Sequence, residues 1–185
     1  MIDWERRARR AEELERIWPA SAEILRFYRA VLDVQRGAAP PDELRAFVRR
    51  VAPAAESAVE RALEEGRPHD GPCVPRVAVL REDVEAGALR RSLICGLCGA
   101  EAPHARVACP GCGEEDPAKL PRFTAREIPW IRIDACDGCR TYLKAVDLTR
   151  APEAEPVVDE LASLALDVVA REKGYAKRSP NLAGI

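Results

Sequence analysis

The sequence lacks any apolar run of the length that crosses a bilayer, which is about 20 consecutive residues. Its first residues include Asp3 and Glu5, where a secretory signal peptide has an apolar stretch. From these two absences we expect a cytoplasmic protein with no membrane span.

Histidine is also scarce, with two residues in 185, and neither stands beside an evident nucleophile that it could activate. The sequence has no glycine-rich loop of the phosphate-binding kind. The formal net charge is −2 and the sequence pI is about 5.9, which argues against a general nucleic-acid-binding protein. These features predict a protein that is not an enzyme and binds no nucleic acid.

Cysteine, by contrast, is plentiful and regularly spaced. Two Cys-x-x-Cys pairs can supply the tetrahedral four-sulfur shell that zinc or iron accepts. In a reducing cytosol, pairs with this spacing are more often metal ligands than disulfides. The sequence therefore predicts bound zinc or iron, with one ion per chain and a second ion undecided. Six of the seven cysteines form three such pairs, Cys95/Cys98, Cys109/Cys112 and Cys136/Cys139.

Spacing alone leaves open which pairs share an ion. Ten residues separate the first pair from the second and twenty-three separate the second from the third, and both intervals fit four-sulfur sites. If the second and third pairs join, the first needs other ligands, for which Cys73 and His69 are the candidates. If the first and second join, the third is left to solvent or to the partner in a homodimer. His104 is interpreted as a surface residue, because cysteines already suffice.

The first third of the chain has the pattern of a helical domain. Apolar residues recur at steps of three and four over residues 3–17, which predicts an amphipathic helix. Three more helices are predicted, one capped by Ser21, one capped by Asp42 and one over residues 54–65. Prolines and glycines over residues 66–72 predict a break. We therefore assign residues 1–67 to a helical domain and residues 68–90 to a linker.

The rest of the chain alternates short apolar segments with the cysteine pairs. Residues 77–80, 90–94, 107–108 and 128–133 are predicted to be extended, the last three leading into pairs as strands do in a zinc ribbon. Residues 82–89 are ambiguous between helix and loop. A helix is predicted over residues 157–173, stopped by Gly174, before a tail that is mobile unless it docks. The predicted class is α+β, with a metal module over 91–150 and a C-terminal helix and tail over 151–185.

Several stretches of the second half share a specific likeness with a known family. Cys-x-x-Cys alone is a weak signal, but Tyr142-Leu143-Lys144 after the third pair, followed by the predicted helix, is a specific one. The matching stretches are residues 92–99, 108–113, 135–144, 161–167 and 174–175, with a looser likeness in the N-terminal helices. In these stretches the chain resembles the formate dehydrogenase accessory protein family, the FdhE family.

This resemblance implies two rubredoxin-like modules in which consecutive Cys-x-x-Cys pairs share a metal. The family's first pair is missing here, and His69 and Cys73 stand near its place, so that residues 68–90 hold a degenerate first metal-binding knuckle. By resemblance, the second and third pairs form one intact site. Cys95 and Cys98 keep half of another site, which Cys73 and His69 could complete.

The resemblance also implies a non-catalytic accessory factor for formate dehydrogenase biogenesis that binds the catalytic subunit. Arg140 and Lys144, expected to be exposed charges beside the third pair, are the predicted contacts with that subunit. The alternative is a zinc-ribbon module that interacts with protein or nucleic acid. The acidic pI and the lack of a basic, aromatic-studded strand face count against that alternative.

Overall fold

The computed structural model describes residues 2–83 and 87–183. Within these ranges the chain is α+β, as predicted, with four N-terminal helices, a mixed sheet of seven strands and two further helices. None of these helices is both long and apolar enough to cross a membrane. In chain order the elements are α1 (Trp4–Ile17), α2 (Ala22–Gln35), α3 (Pro41–Val51), α4 (Glu56–Leu63), β1 (Pro75–Asp83), β2 (Ala88–Cys95), β3 (Glu101–His104), β4 (Arg122–Thr124), β5 (Ile131–Cys136), β6 (Thr141–Asp147), α5 (Pro156–Ala162), α6 (Leu164–Glu172) and β7 (Ala176–Lys177).

The first two helices lie where the apolar pattern predicts them. Asp3 caps α1, because its carboxylate accepts a hydrogen bond from the Arg6 backbone N–H at 2.8 Å. Ser21 precedes α2 as predicted, but its side chain does not cap that helix. The Ser21 hydroxyl instead donates to the Ala162 carbonyl at 2.5 Å, which ties the start of α2 to the end of α5.

The next two helices begin at different residues from those predicted. The prediction that Asp42 caps α3 is wrong, because Pro41 is already the first helical residue and Asp42 lies in the first turn. Proline suits that position, where its missing N–H would have had no helical partner. α4 is shorter than predicted, since Pro53–Ala55 form a separate 3₁₀ turn before it.

The sheet consists of two antiparallel three-stranded units joined by one parallel pair. Strands β1, β2 and β3 form the first unit, and β4, β5 and β6 form the second. At the joint β1 pairs in parallel with β6, with Val77 opposite Lys144 and Leu80 opposite Asp147. The order across the sheet is β3-β2-β1-β6-β5-β4, and β7 pairs with the first residues of β6. Five consecutive residues are buried in both β1 and β6, so both faces of the sheet are covered at the joint.

The strand predictions were correct in part. The extended segments at 77–80 and 90–94 are confirmed as parts of β1 and β2. Residues 82–83 and 88–89 are the paired ends of these strands, neither helix nor loop, while 84–86 lie outside the described residues. In the predicted strand over 128–133, only Ile131 onward is extended, because the Ile131 N–H closes a turn onto the Ile128 carbonyl at 3.0 Å. Residues 107–108 lie in a turn and a bend, so the predicted strand there is wrong.

The helix predicted over residues 157–173 is broken at Ser163 into α5 and α6. Ser163 has φ −90° and ψ 46°, outside the helical region. Its carbonyl lies 3.3 Å from the Lys144 Nζ and also accepts the Leu166 N–H at 3.1 Å. The break thus turns a main-chain carbonyl toward a buried cation, which apolar periodicity cannot reveal.

Helix α5 lies between the N-terminal helices and the sheet, and all seven of its residues are buried. Val158 and Leu161 pack in the apolar cluster that α1 to α4 form. Val157 packs in the second cluster, which the sheet and α6 form. Trp18 belongs to the edge of both clusters and stacks on Trp130 with 5.7 Å between ring centroids.

The tail after Gly174 docks onto the rest of the chain as far as the described residues extend. Ala176 and Lys177 form β7 beside β6, and Leu182 is buried in the cluster of the N-terminal helices. The Asn181 amide donates to Glu160 at 3.3 Å. The boundaries assigned to the helical domain, linker, metal module and tail stay a prediction.

Buried charges surround α5. Lys144 on β6 is 0% exposed and pairs with Asp167 at 2.6 Å and Glu160 at 3.2 Å. Lys177 on β7 pairs with the same two carboxylates, at 2.8 and 2.5 Å. Burial lowers the pKa of Lys144, while the two carboxylates act in the opposite direction. The prediction of an exposed Lys144 is therefore wrong.

Candidate metal centres

The two halves of the sheet present candidate ligands at equivalent places. In each three-stranded unit, one pair of ligands precedes the first strand, and a Cys-x-x-Cys pair joins the second strand to the third. Ligands from both places come together within each unit, which gives two candidate centres among residues 2–83 and 87–183. The first centre consists of His69, Cys73, Cys95 and Cys98, and the second of Cys109, Cys112, Cys136 and Cys139.

The second centre is a four-cysteine group. All four sulfur atoms lie within 4.8 Å of one another. The Sγ atoms of Cys109 and Cys139 are 3.6 Å apart, as are those of Cys112 and Cys136. A tetrahedral zinc with Zn–S bonds of about 2.3 Å requires sulfur atoms about 3.8 Å apart. The donor set and its spacing therefore fit one zinc or iron ion.

The turn residues of the second pair explain how this group closes. The Gly111 N–H donates to the Cys109 sulfur at 3.3 Å, as backbone amides do in metal-binding knuckles. A Cβ at Gly111 would lie 3.3 Å from the Cys139 sulfur, so the missing side chain allows that close approach. On the other side, the Thr141 hydroxyl lies 3.0 Å from the Cys139 sulfur and can donate to it.

The first centre combines one imidazole with three thiols. The His69 Nε2 is 3.6 Å from the Cys95 sulfur and 3.9 Å from the Cys73 sulfur. Cys73 and Cys98 have their sulfur atoms 3.8 Å apart, and the four ligand atoms lie within 4.8 Å of one another. Three cysteines with one histidine are a known structural zinc set, so these residues fit a zinc ion.

Ionisation of the thiols differs within the centres. Burial opposes ionisation of Cys95, but hydrogen bonds from nearby backbone N–H groups and from His69 lower its pKa to about 6. Burial also opposes ionisation of Cys139, but hydrogen bonds from Thr141 contribute to lowering its pKa to about 7. Burial raises the pKa of Cys136 to about 12. Because metals bind thiolates, the lowered pKa values of Cys95 and Cys139 favour metal binding in both centres.

His104 belongs to neither group among the described residues. It is half-buried at the end of β3, where its Nε2 lies 3.3 Å from the Ala108 carbonyl, which can only accept a hydrogen bond. Burial lowers its pKa. His104 is therefore half-buried, whereas the sequence was interpreted as placing it on the surface.

Other residues around the second centre have no signal in the sequence. Thr141 follows Cys139 as an ordinary strand residue, yet its hydroxyl contacts the Cys139 sulfur. Arg91 and Arg178 are far apart in the chain, but both line a small cavity beside Cys109 and Cys136. Only the pairing of the two sheet units, together with the docked tail, brings these arginines to the metal ligands.

Comparisons with known proteins place the second half of the chain in one family. Residues 107–183 match the family model described as FdhE, C-terminal domain. The protein FdhE homolog of Aquifex aeolicus is 33% identical over 94 residues, which cover 51% of this chain and 33% of that protein. Protein FdhE of Escherichia coli O1:K1 / APEC is 40% identical over 92 residues, 49% of this chain and 29% of that protein. The match thus spans about a third of the length of these curated relatives.

The fold has a counterpart in the crystal structure of the FdhE protein from Pseudomonas aeruginosa, with a TM-score of 0.68. That match covers 97% of this chain and 94% of the other, and at 21% identity it shows a shared fold alone. In sequence, the likeness is to the FdhE C-terminal domain over residues 107–183 and to FdhE proteins over about half of this chain.

Proposed function

We propose that this chain is a non-catalytic accessory factor in formate dehydrogenase biogenesis, which binds the catalytic subunit through a fold that bound metal stabilises. The observation that carries the proposal is the four-cysteine centre, which lies inside the residues that match the FdhE C-terminal domain. The formate dehydrogenase role itself comes from the family resemblance.

The chemistry of the two centres supports a structural use of the metal. Four thiolates complete a tetrahedral shell, and three thiolates with one imidazole do the same. A catalytic zinc needs one position open for water or substrate, and neither ligand set leaves one. An ion in the first centre would instead join the stretch before β1 to the turn between β2 and β3. An ion in the second centre would join the stretch before β4 to the turn between β5 and β6.

We further propose two ions per chain. The ion in the four-cysteine centre is zinc or iron, because both accept tetrahedral sulfur. The ion in the other centre is zinc, since an imidazole replaces one of the sulfur ligands.

Metal analysis tests both centres. Wild-type protein should carry about two ions per chain, while Cys136→Ser and His69→Ala should each carry about one, because each change removes a ligand from one centre only. His104→Ala is the matched control, since His104 is the other histidine and belongs to neither group. Loss of all metal in Cys136→Ser, or undiminished metal in His69→Ala, would contradict the two-centre assignment.

Of the two predicted contacts with the catalytic subunit, Lys144 is buried and cannot reach a partner. We propose Arg140 as the contact. The Arg140 side chain is 50% exposed. Its guanidinium bonds Asp137 at 2.8 Å and the Lys173 carbonyl at 2.7 Å, and it lies 4.1 Å from the centre of the Tyr175 ring. Arg140 therefore holds the end of α6 while still presenting charge to solvent beside the third cysteine pair.

Capture of the client tests the function. The wild-type chain, purified from its native host, should carry the formate dehydrogenase catalytic subunit, and Arg140→Gln should carry several-fold less, because a rim charge guides association. Arg150→Gln is the matched control, an exposed arginine on the turn after β6. Metal content should stay near wild type in both variants. Absence of any formate dehydrogenase chain with wild-type protein would refute the accessory role.

A further inference from the structure

A small cavity lies between the four-cysteine centre and the sheet. Its volume is about 20 Å³, and it opens to the surface. A cavity of this size holds one water molecule or one oxygen atom of a larger group. Its lining includes two of the metal ligands, Cys109 and Cys136, together with one carboxylate, Asp134, and four arginines, Arg91, Arg106, Arg122 and Arg178.

Two of these arginines carry buried N–H groups without a partner. Within the described ranges, the Nε atoms of Arg91 and Arg178 are the buried side-chain nitrogen and oxygen atoms that make no hydrogen bond. Arg91 is only 3% exposed, and its other nitrogens are occupied by the Ala105 and Ala108 carbonyls and by Asp134. Buried donors are almost always satisfied in native proteins, so two unsatisfied ones beside a single cavity point to an acceptor that binds there.

The charge of the lining argues for an anion in that place. Asp134 is shared among three guanidinium groups, with its carboxylate 2.7 Å from Arg132, 3.3 Å from Arg91 and 3.7 Å from Arg122. Neither Arg106 nor Arg178 pairs with a carboxylate in the part of the chain that the structure describes. Burial lowers the pKa of Arg91, and the positive charges of Arg132 and Arg122 lower it further, while the negative charge of Asp134 raises it. One carboxylate is too few for this set of cations.

A count of charges narrows the class of anion. Four arginines and one aspartate line the cavity, which leaves three positive charges in excess. A divalent ion bound by four thiolates carries a net charge of −2, and this reduces the excess to one. A water molecule could satisfy the N–H groups but not this charge. A carboxylate supplies one negative charge and a planar pair of oxygens that matches a guanidinium.

We propose that this cavity binds a carboxylate, with one oxygen in the void against Arg91 and Arg178 and the rest of the group at the mouth. The carboxylate belongs either to a small free acid or to an acidic side chain of a bound protein. This site is separate from the accessory role and does not depend on it.

Acetate binding to the metal-loaded full chain tests the proposal, measured by calorimetry at constant ionic strength with chloride as the replacement ion. Arg178→Gln removes one unpartnered donor and breaks no ion pair among the described residues, and its acetate affinity should fall about tenfold or more. Arg126→Gln is the matched control, an exposed arginine outside the cavity lining, and should bind acetate as wild type does.

Metal content is measured in parallel, so that loss of an ion is not mistaken for loss of the anion. Should Arg178→Gln lose metal, Arg122→Gln replaces it with the same expected direction, since the Arg122 side chain lines the cavity and is 45% exposed. Equal heats for wild type and the cavity variant, or no acetate binding above that of chloride, would overturn the proposal and leave water in the cavity. A capped peptide with one glutamate separates the two sources: binding as tight as acetate supports a protein side chain, and binding of acetate alone supports a free acid.

Discussion

Removal of both metal ions by a chelator should expose two segments of the chain to a protease of broad specificity, proteinase K, and leave the helices and the sheet intact. The first is the stretch before β1, residues 64–74, and the second is the stretch between β3 and β4, residues 105–121. Neither stretch contains a strand, and each is joined to the sheet through its metal ligands. Structural zinc contributes about 10–16 kcal/mol in small metal-dependent folds. If loss of the ion removed even a fifth of that energy, about 2 kcal/mol, the population of the opened segment would rise about thirtyfold, and its cleavage rate with it.

The rest of the fold has its own source of stability. Both apolar clusters consist of residues other than cysteine, including Leu25 and Tyr28 among the helices and Ile131 and Ile133 in the sheet. The packing of the sheet therefore confines the expected loss on chelation to the two segments. Limited proteolysis followed by mass spectrometry locates the cuts. Cuts spread evenly over the helices and strands would show that the metal holds the entire fold, and equal resistance with and without chelator would show that it holds none.

Replacement of Lys144 by methionine should cost about 3–5 kcal/mol of unfolding free energy, because one member of a buried ion-pair network is removed and its partners stay charged. Glu160 and Asp167 are both 0% exposed, and they would retain only Lys177 and Arg76 as cationic partners within the described ranges. For a chain of this size, the change corresponds to a fall in melting temperature of roughly 6–20 °C. Thermal unfolding of the metal-loaded protein measures it.

Two further variants separate the charge from the side chain. Lys173→Met, on an exposed lysine at the end of α6, should change the melting temperature little. Lys144→Met combined with Asp167→Asn should recover part of the loss, because it removes one uncompensated negative charge. If Lys144→Met alone were as stable as Lys173→Met, the stability of the buried network would not depend on Lys144.

Much of the secondary structure could be predicted, and the two errors that involve Lys144 share one physical cause. Amphipathic helices such as α1 have a local period, and strands such as β1 and β2 are short apolar runs between turn residues, so both leave a clear pattern. The break at Ser163 leaves no such pattern, and its carbonyl contacts Lys144, which lies nineteen residues earlier in the chain. Lys144 itself was expected to be exposed because it is charged. Its strand, β6, is central in the sheet and covered by α5, which the sequence does not indicate.

The sequence by itself determined the class of the fold, the ligand types and the local turns at the cysteine pairs, because thiols, prolines and glycines act through their own chemistry and their near neighbours. Tertiary structure decided which ligands meet. The two antiparallel units bring His69 and Cys73 to Cys95 and Cys98, and bring the second cysteine pair to the third. The parallel pairing of β1 with β6 and the docking of the tail also brought Arg91 and Arg178 to one cavity. The smallest sequence separation among these contacts is 22 positions, between Cys73 and Cys95. No short-range sequence pattern encodes contacts between residues so far apart in the chain.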